Sequence, residues 1–390
     1  MAEGAVTVER IPYPLVYADP SPFKDVYGGV EDVVVLEAQL LKPSRPSKTV
    51  LVFMHPIGGG TYLPMVTALA RAGHHTIYCN SRYRGTDSAL IMEKVVCDLA
   101  ACIRDAKDRL GYERVVLAGW SGGGSLSLFY QQQAERPTVR ATPNGDPPDL
   151  TAVVMPRADG VMVLAAHVSR HGTLTEWIDP SVTDEQRPFE RDRDLNLYDP
   201  ASPNQPPYLP DYVARFRAAQ VARNRRITAW VKGELAALVA AGRLHDERAF
   251  VVHGTMADPR WLDPTIDPNG RRPGHCYLGD PRVVNDGPVG LARFCTLRSW
   301  LSQWSWDDAR ADGVKCAADV TAPVLVITNA ADDACTPSHA RRLFDAVSHA
   351  DKTFHEIEGA NHYYLGPDQR ARLATAVGHC GAWLGAHGLT

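Results

Sequence analysis

No apolar run in this sequence reaches the roughly 20 residues a helix needs to cross a bilayer, so no membrane partner is expected. The first ten residues, M-A-E-G-A-V-T-V-E-R, carry acidic side chains and lack an apolar core. They do not read as a secretory signal. Basic charge is not in surplus either. Lys and Arg number 41 against 45 Asp and Glu, for a formal net charge of −4. Nucleic acid, whose binding rests on neutralising phosphates, is therefore not an expected partner. The eight cysteines (Cys79, Cys97, Cys102, Cys276, Cys295, Cys316, Cys335 and Cys380) are scattered and include no C-x-x-C pair. That argues against a disulfide framework and against a clustered zinc site. The expectation is reduced, mostly buried thiols in a cytoplasmic protein. No internal repeat is present, and neither a cofactor nor a metal is expected.

What is there is ordinary globular material: 390 residues, 45% hydrophobic and 22% charged, enough for one large domain or two moderate ones. The first 165 residues alternate short β-branched runs with longer helical patterns. Strands are predicted at Val33–Leu41, Thr49–Met54, His75–Cys79, Arg114–Ala118 and Gly160–Ala166. Helices are predicted at Pro64–Ala72, Ala89–Leu110 and Gly122–Ala134. This rhythm argues for a mostly parallel sheet with helices on both faces. It breaks between His167 and Gly287, where Pro, Asp and Arg are frequent and only one long helix, Pro210–Ala241, is plain. It resumes with a helix at Val289–Trp304, a strand at Pro323–Thr328, a helix at Ser338–Val347, a strand at Thr353–Ile357 and a helix at Gln369–Leu384. The expected division is a core of residues 1–167 and 288–390 with a cap inserted at 168–287. An insertion that long is more than a loop, and ligands of such sheets bind beyond the carboxyl ends of the strands.

Four segments carry chemistry. G-W-S-G-G, Gly119–Gly123, follows the strand R-V-V-L-A and opens a helix, the setting of a nucleophile elbow. Ser121 is the expected nucleophile. H-P-I-G-G-G, His55–Gly60, follows the strand T-V-L-V-F-M. An oxyanion hole takes one N–H from the residue after the nucleophile, Gly122, and one from this earlier loop. Ile57 is the first choice for the second donor and Gly58 the next. Pro56 has no N–H and cannot serve. His55 is read as bracing the loop. N-A-A-D-D-A-C-T-P follows a third strand and offers adjacent carboxylates, of which only one can reach a given histidine. Counting from the strand favours Asp332, and counting back from Pro337 favours Asp333. Asp332 is preferred. G-A-N-H-Y-Y, Gly359–Tyr364, places His362 on a loop beyond the last strand, so His362 is the expected base. His355 lies within a strand and His379 within a helix, which suits neither for the role.

With these motifs, and with S-R-Y-R-G-T-D-S-A-L-I-M-E-K at Ser81–Lys94, the chain resembles the α/β-hydrolase superfamily over Val33–His167 and Val289–Leu384. The resemblance implies the α/β-hydrolase fold: a mostly parallel sheet of the eight-stranded type flanked by helices, here with an inserted, mainly helical cap. It implies a Ser-Asp-His triad in that chain order. It does not imply a substrate. A dehalogenase or epoxide hydrolase would need Asp in place of Ser121. The leading expectation is a serine hydrolase acting on a small carboxylic ester or lactone through an acyl-serine. The alternatives are a C–C bond hydrolase or peptidase with the same triad, or a non-catalytic binding protein on the same fold. A homodimer is left open.

Further features have weaker readings. Trp120, beside the serine, and Arg82, at a strand end, are assigned to substrate binding, Arg82 as an anchor for a carboxylate. A loop-fixing salt bridge is the alternative for Arg82. Arg223–Arg226 is read as a solvated helix face. Several tryptophans in or beside the cap are expected to line a pocket or pack in the core. The cap is expected to gate the site, so that altering it changes selectivity more than it changes labelling of Ser121.

Overall fold

The computed structural model describes residues 6–27 and 29–390; the reading of Met1–Ala5 as part of a non-secretory start lies outside them. Eight strands form one sheet: β1 (Val8–Ala18), β2 (Val33–Pro43), β3 (Thr49–Phe53), β4 (Thr76–Cys79), β5 (Arg114–Trp120), β6 (Gly160–Leu164), β9 (Val324–Asn329) and β10 (Lys352–Ile357). β7 (Ala249–Val251) and β8 (Phe294–Thr296) pair separately, antiparallel. The spatial order of the large sheet is β1-β2-β4-β3-β5-β6-β9-β10. β1 and β2 are antiparallel, as are β2 and β4, and the remaining pairs are parallel. The central strands are mostly apolar because helices cover both faces. Every residue of β3, β6 and β9 is buried.

The helices α1 (Pro64–Arg71), α2 (Met92–Asp108) and α3 (Gly122–Glu135) follow β3, β4 and β5 respectively. One apolar layer joins α2 and α3 to the sheet, and a second joins α1 and the last helix, Gln369–Ala386, to the other face. This is the α/β-hydrolase fold. β1 has no counterpart in the sequence reading. Pro12 and Pro14 break its pattern, and the strand tolerates them because it lies at the sheet edge, where a missing N–H costs little.

Between β6 and β9 the chain leaves the sheet. It forms α4 (Arg170–Trp177) and the long α5 (Pro210–Ala240), then β7 and β8. Only the second half of the helix expected at Val289–Trp304 is helical. β8 occupies its middle, followed by a turn of helix at Leu297–Ser299 and a π-helical turn at Trp300–Trp304. Its apolar side chains belong to the insertion rather than to the sheet: Leu297, Trp300 and Trp304 pack with Leu174, Ile227 and Val231.

Arg223–Arg226 also departs from expectation. The buried stripe of α5 runs through Tyr212, Phe216, Gln220, Arg223, Ile227, Val231 and Leu235 at helical spacing and takes Arg223 and Asn224 inward. Arg223 binds Glu185 and the carbonyls of Asp179, His253 and Gly254. Asn224 binds the carbonyl of Trp304. Only Arg225 and Arg226 face outward. All eight cysteines are buried and unbridged, and no helix among the described residues is long and apolar enough to cross a membrane.

Candidate active site

Ser121 sits between the last residue of β5 and the first of α3, at φ 51° and ψ −120°. Backbone strain of this kind is held only where the surroundings over-determine it. Here the Ser121 N–H donates to Ala165 O at 3.2 Å just beyond β6. The glycines around it have a packing cause. A Cβ on Gly119 would lie 2.4 Å from Gly123 O, and one on Gly123 would lie 2.6 Å from Met54 O. Gly122 N–H begins α3 and so has no acceptor within the helix. The helix dipole adds positive potential at that end.

His362 Nδ1 lies 2.7 Å from Asp332 Oδ2, and both side chains are buried. Asp332 Oδ1 accepts the N–H groups of Ala334 and Cys335, each at 2.7 Å. Asp333 turns away and lies 3.3 Å from His275 Nδ1. Burial alone would lower the His362 pKa, but the adjoining Asp332 carboxylate outweighs it and raises the imidazole well above its ordinary 6.5. Trp120 packs on the His362 ring, centroid to centroid 5.6 Å. Ser121 Oγ pairs with Cys335 Sγ at 3.8 Å. Cys335 was not singled out by its sequence, since its only signal is its place three residues after the acid. Among the described residues, Asp332, Cys335 and His362 also have ligand-type atoms within 4.8 Å of one another. That grouping is the hydrogen-bonded acid–imidazole pair itself with a thiol beside it.

In the loop after β3, the N–H groups of Gly58, Gly59 and Gly60 donate to His55 O, Asn80 Oδ1 and Tyr78 Oη at 2.8, 2.8 and 2.6 Å. Ile57 N–H has only a stretched 3.3 Å contact with His55 Nδ1. Of these donors, Ile57 is the one least committed elsewhere. Burial, with the nearby charges of Arg170 and His362, pushes the His55 pKa down to about 3. A neutral ring with Nδ1 accepting carries its proton on Nε2, which faces Gly122.

A cavity of about 130 Å3 reaches Ser121, His362, Ile57 and Trp120 and is roofed by Thr173, Trp177, Tyr277 and Leu291 from the insertion. Arg82 is not on it. Its guanidinium is bound by Asp98, Asp19 and Tyr17 beneath β1 and α2, so a role as substrate anchor is corrected to that of a loop-fixing ion pair. Trp230, Trp300 and Trp304 do not reach the cavity either.

The insertion does more than roof the site. Asn269 Nδ2 donates to Asp332 O at 2.7 Å, Trp261 Nε1 donates to Asp333 O at 2.8 Å, and Gly270 N–H donates to Ala330 O at 2.8 Å. The loop that carries Asp332 is thus held from the insertion. Removing the insertion would therefore disturb the loop that carries Asp332 as well as the roof of the cavity, so single substitutions in the insertion are the cleaner way to ask whether selectivity changes more than labelling of Ser121. Asn269→Ala, which strips one bond from the backbone of Asp332, is expected to lower kcat about tenfold, from roughly 1.4 kcal/mol of lost positioning. KM should stay within about twofold. Steady-state kinetics check this, and a rise in KM with kcat unchanged would mean that Asn269 acts on binding instead.

The comparisons agree with the architecture. Residues 49–142 match the α/β-hydrolase fold family. No curated protein matches the chain in sequence. Among solved structures, a siderophore hydrolase, EstB, from Aspergillus fumigatus is similar with a TM-score of 0.52 and 12% identity, over 90% of this chain and 94% of its own. The α/β hydrolase GrgF from Penicillium sp. sh18 is similar with a TM-score of 0.51 and 10% identity, over 96% and 98%. At these identities the likeness is one of fold.

Proposed function

We propose that the protein is a serine hydrolase that cleaves a small carboxylic ester or lactone. Ser121 attacks the carbonyl while His362 takes its proton. Asp332 holds the imidazole by Nδ1 and stabilises its charged form. The N–H groups of Gly122 and Ile57 receive the oxyanion. Collapse of the tetrahedral intermediate expels the alcohol, protonated by His362, and leaves an acyl-serine that water hydrolyses. The observation that carries this reading is the 2.7 Å His362–Asp332 pair beside a serine held at φ 51°, both opening onto one cavity. The same parts would serve a C–C hydrolase or peptidase. The small cavity favours a compact acyl group over a peptide.

In this proposal the insertion is a cap that gates entry, and the eight buried thiols suit a reducing, cytoplasmic setting, which cell fractionation tests. A fluorophosphonate is expected to form one adduct, located at Ser121 by peptide mass spectrometry and absent from Ser121→Ala, and p-nitrophenyl butyrate is expected to turn over. No labelling of the folded protein would remove the enzymatic reading and leave the binding-protein one.

A further inference from the structure

The cavity over Ser121 has polar groups for which hydrolysis has no use. Arg170 begins α4, is buried and lines the cavity. Its Nε donates to Gln303 Oε1 and its Nη2 to Asp87 Oδ2, each at 3.0 Å, and its guanidinium lies over the Trp304 ring at 4.4 Å. These contacts fix its orientation through Nε, Nη2 and the ring face, and among the described residues Nη1 has no hydrogen bond. His167, buried and also on the cavity, has Nδ1 unpaired. Tyr277 lines the same space, its hydroxyl has no hydrogen bond among the described residues, and burial raises its pKa so that the proton stays on. His167 Nδ1 is a buried polar atom of the kind rarely left without a partner, while Arg170 and the half-buried Tyr277 present polar atoms to the cavity itself. Together they describe a polar end to an otherwise apolar space walled by Leu63, Trp120, Trp177 and Leu291.

The charge balance narrows what fits. Asp87 lines the same cavity and already pairs with Arg170. A second carboxylate would meet Asp87 as well as Arg170, so what remains to be supplied is a hydrogen-bond acceptor and not a negative charge. The space is small, which suits the group that stays bonded to Ser121 while the alcohol departs. Building on the hydrolase reading above, we infer that the preferred acyl group is short and carries a neutral oxygen acceptor, such as a ketone, that is received by Arg170 and Tyr277.

Matched esters test this. The wild type is expected to hydrolyse p-nitrophenyl 4-oxopentanoate with a kcat/KM at least tenfold above that for p-nitrophenyl pentanoate, after the uncatalysed rates are subtracted. The monoester p-nitrophenyl succinate, with a carboxylate at the same place, should do no better than pentanoate. Arg170→Met should bring the keto-to-alkyl ratio to within about twofold. Tyr277→Phe, which keeps the cavity's shape, should lower the ratio severalfold, and this guards against a fold defect in the arginine variant. Equal rates on the keto and alkyl esters would overturn the inference and leave the hydrolase reading standing. Preference for the succinate would overturn the neutral-acceptor class. Turnover of none of the three would overturn the hydrolase reading and this inference with it.

Discussion

Ser121→Ala is expected to lower kcat for p-nitrophenyl butyrate by about 10⁵- to 10⁶-fold, the scale seen when a hydrolase loses a nucleophile whose partners act only through it. The remainder over water comes from binding and the oxyanion donors, which Ala leaves in place. Cys335 Sγ, 3.8 Å from Ser121 Oγ, is a side chain positioned to substitute as a nucleophile. Burial raises its thiol pKa above the ordinary value, so the reactive thiolate is scarce and sulfur does not take over. Ser121→Ala/Cys335→Ala should therefore match Ser121→Ala alone, and a residual rate that disappears only in the double variant would show that it does.

The same position links activity to stability. Alanine at φ 51° keeps the strain of the native backbone, whereas glycine relieves it. Strain of roughly 1–3 kcal/mol, less the ~1 kcal/mol of extra chain entropy that glycine carries, leaves Ser121→Gly about 1 kcal/mol more stable than Ser121→Ala. Thermal melts compare the two, and a Gly variant melting no higher than the Ala variant would mean the turn is not strained.

Some of this was legible in the chain and some was not, for physical reasons. A buried parallel strand is apolar over most of its length, so β3, β5, β6 and β9 read directly as V-L-V-type runs. The elbow read as an elbow because backbone crowding at Gly119 and Gly123 admits no side chain, and such a constraint leaves its mark on composition. Residues whose role is set by distant partners left no such mark. Arg223 looks like one member of a solvated basic run until Glu185 and three carbonyls from the far side of the insertion surround it. Arg82 looked like an anchor because its partners Asp19 and Asp98 are far from it in sequence. Trp300–Trp304 has helical periodicity, yet its environment is the insertion's own core, and the chain enters it from a strand. The hold of Asn269 and Trp261 on the acid loop runs over some 60 to 70 residues of chain. No local pattern encodes a contact of that kind.

The doubled carboxylate is the sharpest case, because two adjacent aspartates are chemically identical in sequence. The structure separates them by backbone geometry: Asp332 folds back over its own turn to accept from Ala334 and Cys335, which aims Oδ2 at His362, while Asp333 is turned toward His275. Asp332→Asn is expected to lower kcat by about 10⁴-fold, because an amide can donate to Nδ1 and favour the wrong imidazole tautomer. Its remaining oxygen can still accept the two loop N–H groups, so the melting temperature should change little. Asp333→Asn should cost less than about tenfold. The pH profile supplies a second reading. The base must be neutral to take the serine proton, so kcat/KM falls as pH drops through the His362 pKa. That pKa is raised by Asp332, which puts the wild-type acidic limb above 6.5. In Asp332→Asn burial is opposed only by the weaker influence of Cys335 and the limb should move to lower pH, whereas Asp333→Asn should leave it nearly where it is. Equal losses in the two variants, or a limb that shifts only on changing Asp333, would assign the acid to the other aspartate.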